Sequence, residues 1–159
     1  MKIREYETGD YKAISYLLEL CGLPICSADE LKGFGLLWEE GNQAVGFVWA
    51  LMNDGASVYI DHFCVHPDFR RKDPKSERSE IAFWLMFSML VKLEAMGKTR
   101  ITGDLQETLG GQSFMRIYNA VGMKFIKPEA YIHGNISEII HNVREGNYGR
   151  HDHTNHHYS

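Results

Sequence analysis

A chain of 159 residues, 44% of them hydrophobic and 24% charged, has the composition of an ordinary soluble protein and enough apolar material for one real core. The formal net charge of −4 argues against a general nucleic-acid binder. Three cysteines, Cys21, Cys26 and Cys64, are an odd number without metal-ligand spacing and read as reduced residues of a cytoplasmic protein, while no segment is long and apolar enough to cross a bilayer.

Residues 2–6 alternate apolar and polar side chains, as a short strand does. Thr8 and Asp10 then offer N-cap oxygens ahead of Tyr11, Ile14, Leu17, Leu18 and Cys21, which recur at helical spacing until Gly22 and Pro24 end the helix. Residues 34–40 and 43–52 read as strands joined at Gly41-Asn42. After a second turn at Asn53-Asp54-Gly55, residues 57–65 form a third strand of the meander. A charged loop follows. Beyond it a long helix runs to about Met96, apolar on nearly every face, which predicts a sheet beneath it and a cover outside. Gly97 closes that helix. A strand over 99–103, a short helix over 113–121 and strand candidates at 123–126 and 131–133 complete the domain, placed at residues 1–145. Residues 146–159 read as a polar, His-rich tail.

A meander followed by a strand-helix-strand crossover predicts an α/β protein in the broad sense (α+β, one central mixed sheet) with helices on both faces. This order, together with the stretch YIDHFCVHPDFRRK from Tyr59 and the stretch FMRIYNAVGM from Phe114, resembles the GNAT family of acyl-CoA-dependent N-acetyltransferases over roughly residues 2–133. The resemblance implies that acetyl-CoA is the cosubstrate and an amine, on a small molecule or a protein, the acceptor. It implies that the backbone of Phe63 and Val65 pairs with the pantetheine amides. Asp61 stands where some members place a catalytic carboxylate, with His62 beside it as the alternative base, and Tyr118 matches the residue that protonates the leaving thiolate. In a strand Asp61 and His62 point to opposite faces, so at most one is expected to face the substrate. The acceptor pocket is expected between the first helix, the 22–34 connection and the later strands.

The diphosphate loop departs from the family pattern. Members wrap the diphosphate with a glycine-rich turn whose N–H groups point inward, but here Arg71, Asp73 and Lys75 fill the glycine positions. If the helix starts at Pro74, Asp73 is its N-cap and the Asp73 carboxylate would take the donors that a phosphate needs, whereas a start at Ser79 leaves residues 70–78 as a longer loop. Against this, the cations Arg70, Arg71, Lys72, Lys75 and Arg78 outnumber the local carboxylates and could grip phosphate through their side chains. A further departure is Gly111, where members often carry an Asn that touches the cofactor, with Gln112 and Ser113 as nearby substitutes.

The tail holds His151, His153, His156 and His157 but no preformed ligand geometry, so no metal site is expected there. Two readings follow. In one the protein is an N-acetyltransferase. In the other the fold is a catalytically silent scaffold, resembling degenerate members found in bacteriophage particles, that meets a protein partner or a second copy through loop 70–79 and the tail, inside a virus particle. Neither reading involves a membrane.

Overall fold

The computed structural model describes residues 2–24, 27, 33–52, 55–69, 80–104, 124–126 and 131–146. They form strands β1 (Ile3–Glu5), β2 (Phe34–Glu40), β3 (Gln43–Met52), β4 (Ser57–Val65), β5 (Arg100–Asp104), β6 (Lys124–Ile126) and β7 (Tyr131–Asn135), and helices α1 (Tyr11–Leu20), α2 (Glu80–Ala95) and α3 (Ile136–Arg144). The chain divides into two compact units, one of residues 1–52 and 60–89 and the other of residues 53–59 and 90–159.

In the first unit the strands hydrogen-bond in the order β1-β2-β3-β4. The β1–β2 and β2–β3 pairs are antiparallel, with Leu37 opposite Phe47 and Leu36 opposite Val48. Because side chains alternate along a strand, these two pairs lie on opposite faces. One face packs on α1 through Ile14, Leu17, Leu18, Cys21, Leu37, Phe47, Trp49 and Cys64. The other carries Gly46, where an added Cβ would lie 2.7 Å from a methyl of Leu85 and 2.9 Å from one of Ile81. The glycine therefore lets α2 sit close on the sheet, and helices cover both faces of this unit. Leu17, Leu18, Leu85 and Phe47 are fully buried, each worth about 1.5–3 kcal/mol relative to exposure.

The β2–β3 register slips by one residue between Trp38 and Glu39. Trp38 faces Gly46 but Glu39 faces Ala44, leaving Val45 as the extra residue of a bulge. Its carbonyl accepts the His66 N–H at 2.7 Å, which ties the end of β4 to the bulge. Asp10 precedes α1 but does not cap it. Its carboxylate instead accepts two hydrogen bonds from the Arg4 guanidinium, at 2.9 and 2.7 Å, and one from the Glu7 N–H at 2.8 Å. Arg4 also reaches Glu39 at 2.8 Å. A bidentate cation outcompetes the helix amides for those oxygens, and the expected capping role of Asp10 is corrected accordingly.

The second unit orders its strands as β4-β5-β7-β6, using the first residues of β4. Both β5–β7 and β6–β7 are antiparallel, so His133 lies opposite Thr102 on one side and Lys124 on the other. The Thr99 N–H donates to the Ala56 carbonyl at 2.9 Å, and the Ile136 N–H donates to the Thr99 carbonyl at 2.9 Å. Helix α3 buries Ile136, Ile139 and Ile140. It was not anticipated. The Asn135 carboxamide caps it by accepting the Glu138 N–H at 2.9 Å.

The strands over 34–40, 43–52 and 57–65 fall where the pattern predicts them, and β5 begins one residue late. The expected outside cover of the long helix is corrected: Trp84 is 41% exposed and stacks edge-on against Phe83 and Phe87 at centroid distances of 4.9 and 5.6 Å. The predicted helix over 113–121 and the His-rich tail lie outside the described residues.

Candidate functional site on strand four

Strand β4 is rich in β-branched and aromatic residues (Val58, Tyr59, Ile60, Phe63, Val65), which suits a half-buried pleated strand. Val58, Ile60, Cys64 and Val65 are buried, His62 and Phe63 are half-buried, and Asp61 is exposed. Cys64 packs in the α1 cluster, so alternation puts His62 on that same side of the strand. The alternation does not keep Asp61 apart from it. The Asp61 carboxylate oxygen Oδ2 lies 3.1 Å from His62 Nδ1, with the imidazole side chain 11% and the carboxylate 37% exposed. This distance is that of an ion pair, yet among the described residues Nδ1 has no hydrogen-bond partner of acceptable direction. The contact is therefore an electrostatic approach and not a hydrogen bond. The functional atoms of the two residues thus meet although their positions alternate along the strand.

Beyond His62 the strand is held from within the unit. The Cys21 thiol donates to the Val65 carbonyl at 3.4 Å, fixing the end of α1 to the end of β4. Pro67–Phe69 then form one turn of 3-10 helix. The Asp68 N–H donates to His66 Nδ1 at 3.1 Å and the Phe69 N–H to the His66 carbonyl at 2.9 Å. Sequence reasoning missed His66. The signal was His-Pro-Asp, an acceptor side chain one residue before a proline. Of the other expected site residues, Arg70, Arg71, Lys72, Asp73, Lys75 and Tyr118 lie outside the described residues. Phe63 and Val65 stand on the same strand as the Asp61–His62 pair.

His62 Nδ1 is buried and, among the described residues, has no hydrogen-bond partner. Among the described residues there is no group of three or more His, Cys, Asp or Glu side chains able to hold a metal ion. Nor is any helix of the described residues long and apolar enough to cross a membrane.

Comparison with known proteins agrees with this architecture. Residues 3–73 match the model of the Acetyltransferase (GNAT) family. The fold is similar to the ribosomal-protein-S18-alanine N-acetyltransferase of Escherichia coli, with a TM-score of 0.66 and 12% identity over 84% of this chain and 92% of that one. It is similar to the PaiA N-acetyltransferase of Thermoplasma acidophilum, solved with coenzyme A, with a TM-score of 0.63 and 12% identity over 85% and 99% of the two chains. It is also similar to the aminoglycoside 6'-N-acetyltransferase of Enterococcus faecium, with a TM-score of 0.62 and 17% identity over 86% and 97%. No curated protein sequence matches the chain. The match to the GNAT family model thus spans residues 3–73, and the fold as a whole is similar to that of solved N-acetyltransferases.

Proposed function

We propose that the protein transfers an acetyl group from acetyl-CoA to an amine. The observation that carries this reading is the 3.1 Å approach of Asp61 Oδ2 to His62 Nδ1 on the fourth strand of a GNAT fold. Acetyl transfer needs a base that takes a proton from the attacking ammonium or amine, and an imidazole ordinarily titrates near neutrality, where both its forms are available. His62 takes that proton, and the Asp61 charge beside Nδ1 stabilises the imidazolium that results. The amine nitrogen then bonds to the acetyl carbon as the carbon–sulfur bond breaks, and the thiolate that leaves is protonated by Tyr118. Phe63 and Val65 supply backbone groups to pantetheine. Arg70, Arg71, Lys72 and Lys75 hold the diphosphate through their side chains, in place of the amide cradle that glycines would form.

Calorimetric titration of the native chain with acetyl-CoA at low and moderate salt tests this reading. Micromolar binding that weakens steeply with salt, followed by release of free thiol when amines are added, is the expected result. No heat at millimolar ligand overturns it.

A second reading has its own supporting observation, the exposed Trp84 with Phe83 and Phe87 on α2. In a silent scaffold such a face suits a protein partner or a second copy. The same titration separates the two readings.

A further inference from the structure

We propose that Trp49 sets the choice of acceptor: its indole N–H takes an oxygen of the incoming amine, so the preferred substrates carry a carbonyl or hydroxyl oxygen on the carbon next to the one that bears the nitrogen. The inference rests on the reading of His62 as the base of acetyl transfer and names the substrate class of that same site.

Among the described residues two buried side-chain nitrogens have no hydrogen-bond partner, Trp49 Nε1 and His62 Nδ1. Unpaired polar atoms are costly in an interior, and native folds keep few of them. These two lie together. Only residues 53–56 separate β3 from β4, so these neighbouring strands run antiparallel. The bond from the His66 N–H to the Val45 carbonyl ties them at one end. Counted inward from it, Phe47 comes level with Cys64, its companion in the α1 cluster, and Trp49 comes level with His62 on the same face.

Gly35 fixes which way the indole points. It lies opposite Trp49 on β2, and a Cβ there would run into the Cε3–Cζ3 edge of the ring. That edge therefore lies over β2, and the opposite edge, which carries Nε1, is turned toward the β4 side. The Tyr6 ring stands edge-on to the indole at a centroid distance of 5.2 Å and braces it. Trp49 as a whole is 3% exposed. An indole N–H can only donate, whereas an imidazole nitrogen that removes a proton accepts. A donor and an acceptor side by side match a fragment with an oxygen and an amine on adjacent carbons. A plain alkylamine leaves the donor unpaired, and a site built to bond an oxygen discriminates against it.

Glycinamide and ethylamine are the probes. Thiol release from acetyl-CoA gives the ratio of kcat/KM for the two amines, in the native chain and in Trp49→Phe, which keeps an aromatic ring without the N–H. The change in that ratio is read, since it cancels the intrinsic difference between the amines. It is expected to fall about 3- to 10-fold in the variant. A second measurement needs no change at Trp49. The indole N–H resonances of the native chain, assigned with Trp38→Phe and Trp84→Phe, are followed as each amine is added with coenzyme A present. The Trp49 resonance is expected to move downfield with glycinamide and to stay in place with ethylamine. An unchanged ratio in a folded Trp49→Phe chain, or a Trp49 resonance indifferent to glycinamide at concentrations that saturate turnover, overturns the proposal. A native chain that releases no thiol with any amine refutes the acetyl-transfer reading and the role of Trp49 with it, an outcome distinct from one that turns over both amines with the same ratio in native and variant chains.

Discussion

Asp61 and His62 are neighbours in a strand, yet a carboxylate oxygen of the first comes within 3.1 Å of the inner nitrogen of the second. If the pair acts as proposed, His62→Gln lowers kcat/KM for acetyl transfer about 100-fold. Asp61→Asn lowers it less, since it removes only the charge that supports the imidazolium. Free-thiol release at saturating acetyl-CoA measures both. The reverse order, with Asp61→Asn the more damaging, would make the carboxylate the base.

The close approach of α2 to β3 at Gly46 predicts a costly substitution. Gly46→Ala places a methyl 2.7 Å from Leu85 and 2.9 Å from Ile81, so the helix or its side chains must shift. Overpacking of this kind costs about 1–3 kcal/mol. Gly41→Ala meets no neighbour within 4 Å but sits at φ +62° in the β2–β3 turn, so its cost, about 1 kcal/mol, is backbone strain alone. Urea titrations of the two variants compare the mechanisms directly.

Stability should fall in acid through Asp10. Its hydrogen bonds from the Arg4 guanidinium hold its carboxyl below the ordinary value of 3.8, against the opposing effect of partial burial. A depressed folded-state pKa gives stability that is fully present above the unfolded value and is lost as pH falls through the folded one. The urea midpoint of the native chain therefore declines below about pH 4. Asp10→Asn should be less stable near neutrality and lose less on acidification, which denaturation at pH 7 and pH 3 checks.

Asn135→Ala removes the acceptor for the Glu138 N–H at the start of α3. A cost of about 1 kcal/mol is expected. Asn135→Asp should retain most of the stability, because it keeps an oxygen at the cap and adds a negative charge at a helix N-terminus. Thermal unfolding by circular dichroism reads both.

Where the pattern was strong, the elements were legible from residues alone. The meander over 34–65 shows β-branched and aromatic runs broken by Gly41-Asn42 and Gly55, and the three strands match to the residue. Helix α3 carried an equally plain signal that went unused. Asn135 with Glu138 three residues on, then Ile136, Ile139, Ile140 and Val143 at helical spacing, is a capping pattern ahead of an apolar stripe. The bulge at Val45 was not legible, because nothing in the run of apolar residues marks which one lacks a partner. The Arg4–Asp10 pairing was hidden for a different reason. Asp10 has the position of a cap, and only the fold shows that a strand residue claims it first. At the site, the motif located β4 but could not say that the side chains of two adjacent residues would meet.

The three tryptophans sit in unlike surroundings. Trp49 is 3% exposed and, among the described residues, its indole nitrogen has no hydrogen-bond partner, Trp38 donates to Glu40 at 3.0 Å, and Trp84 stands 41% exposed on α2. The protein consequently carries its own optical probes. A buried indole emits to the blue and is shielded from iodide, whereas one at the surface emits to the red and is readily quenched. Loosening of α1 from the sheet would register in the first signal, and anything that settles on the outer side of α2 would register in the second.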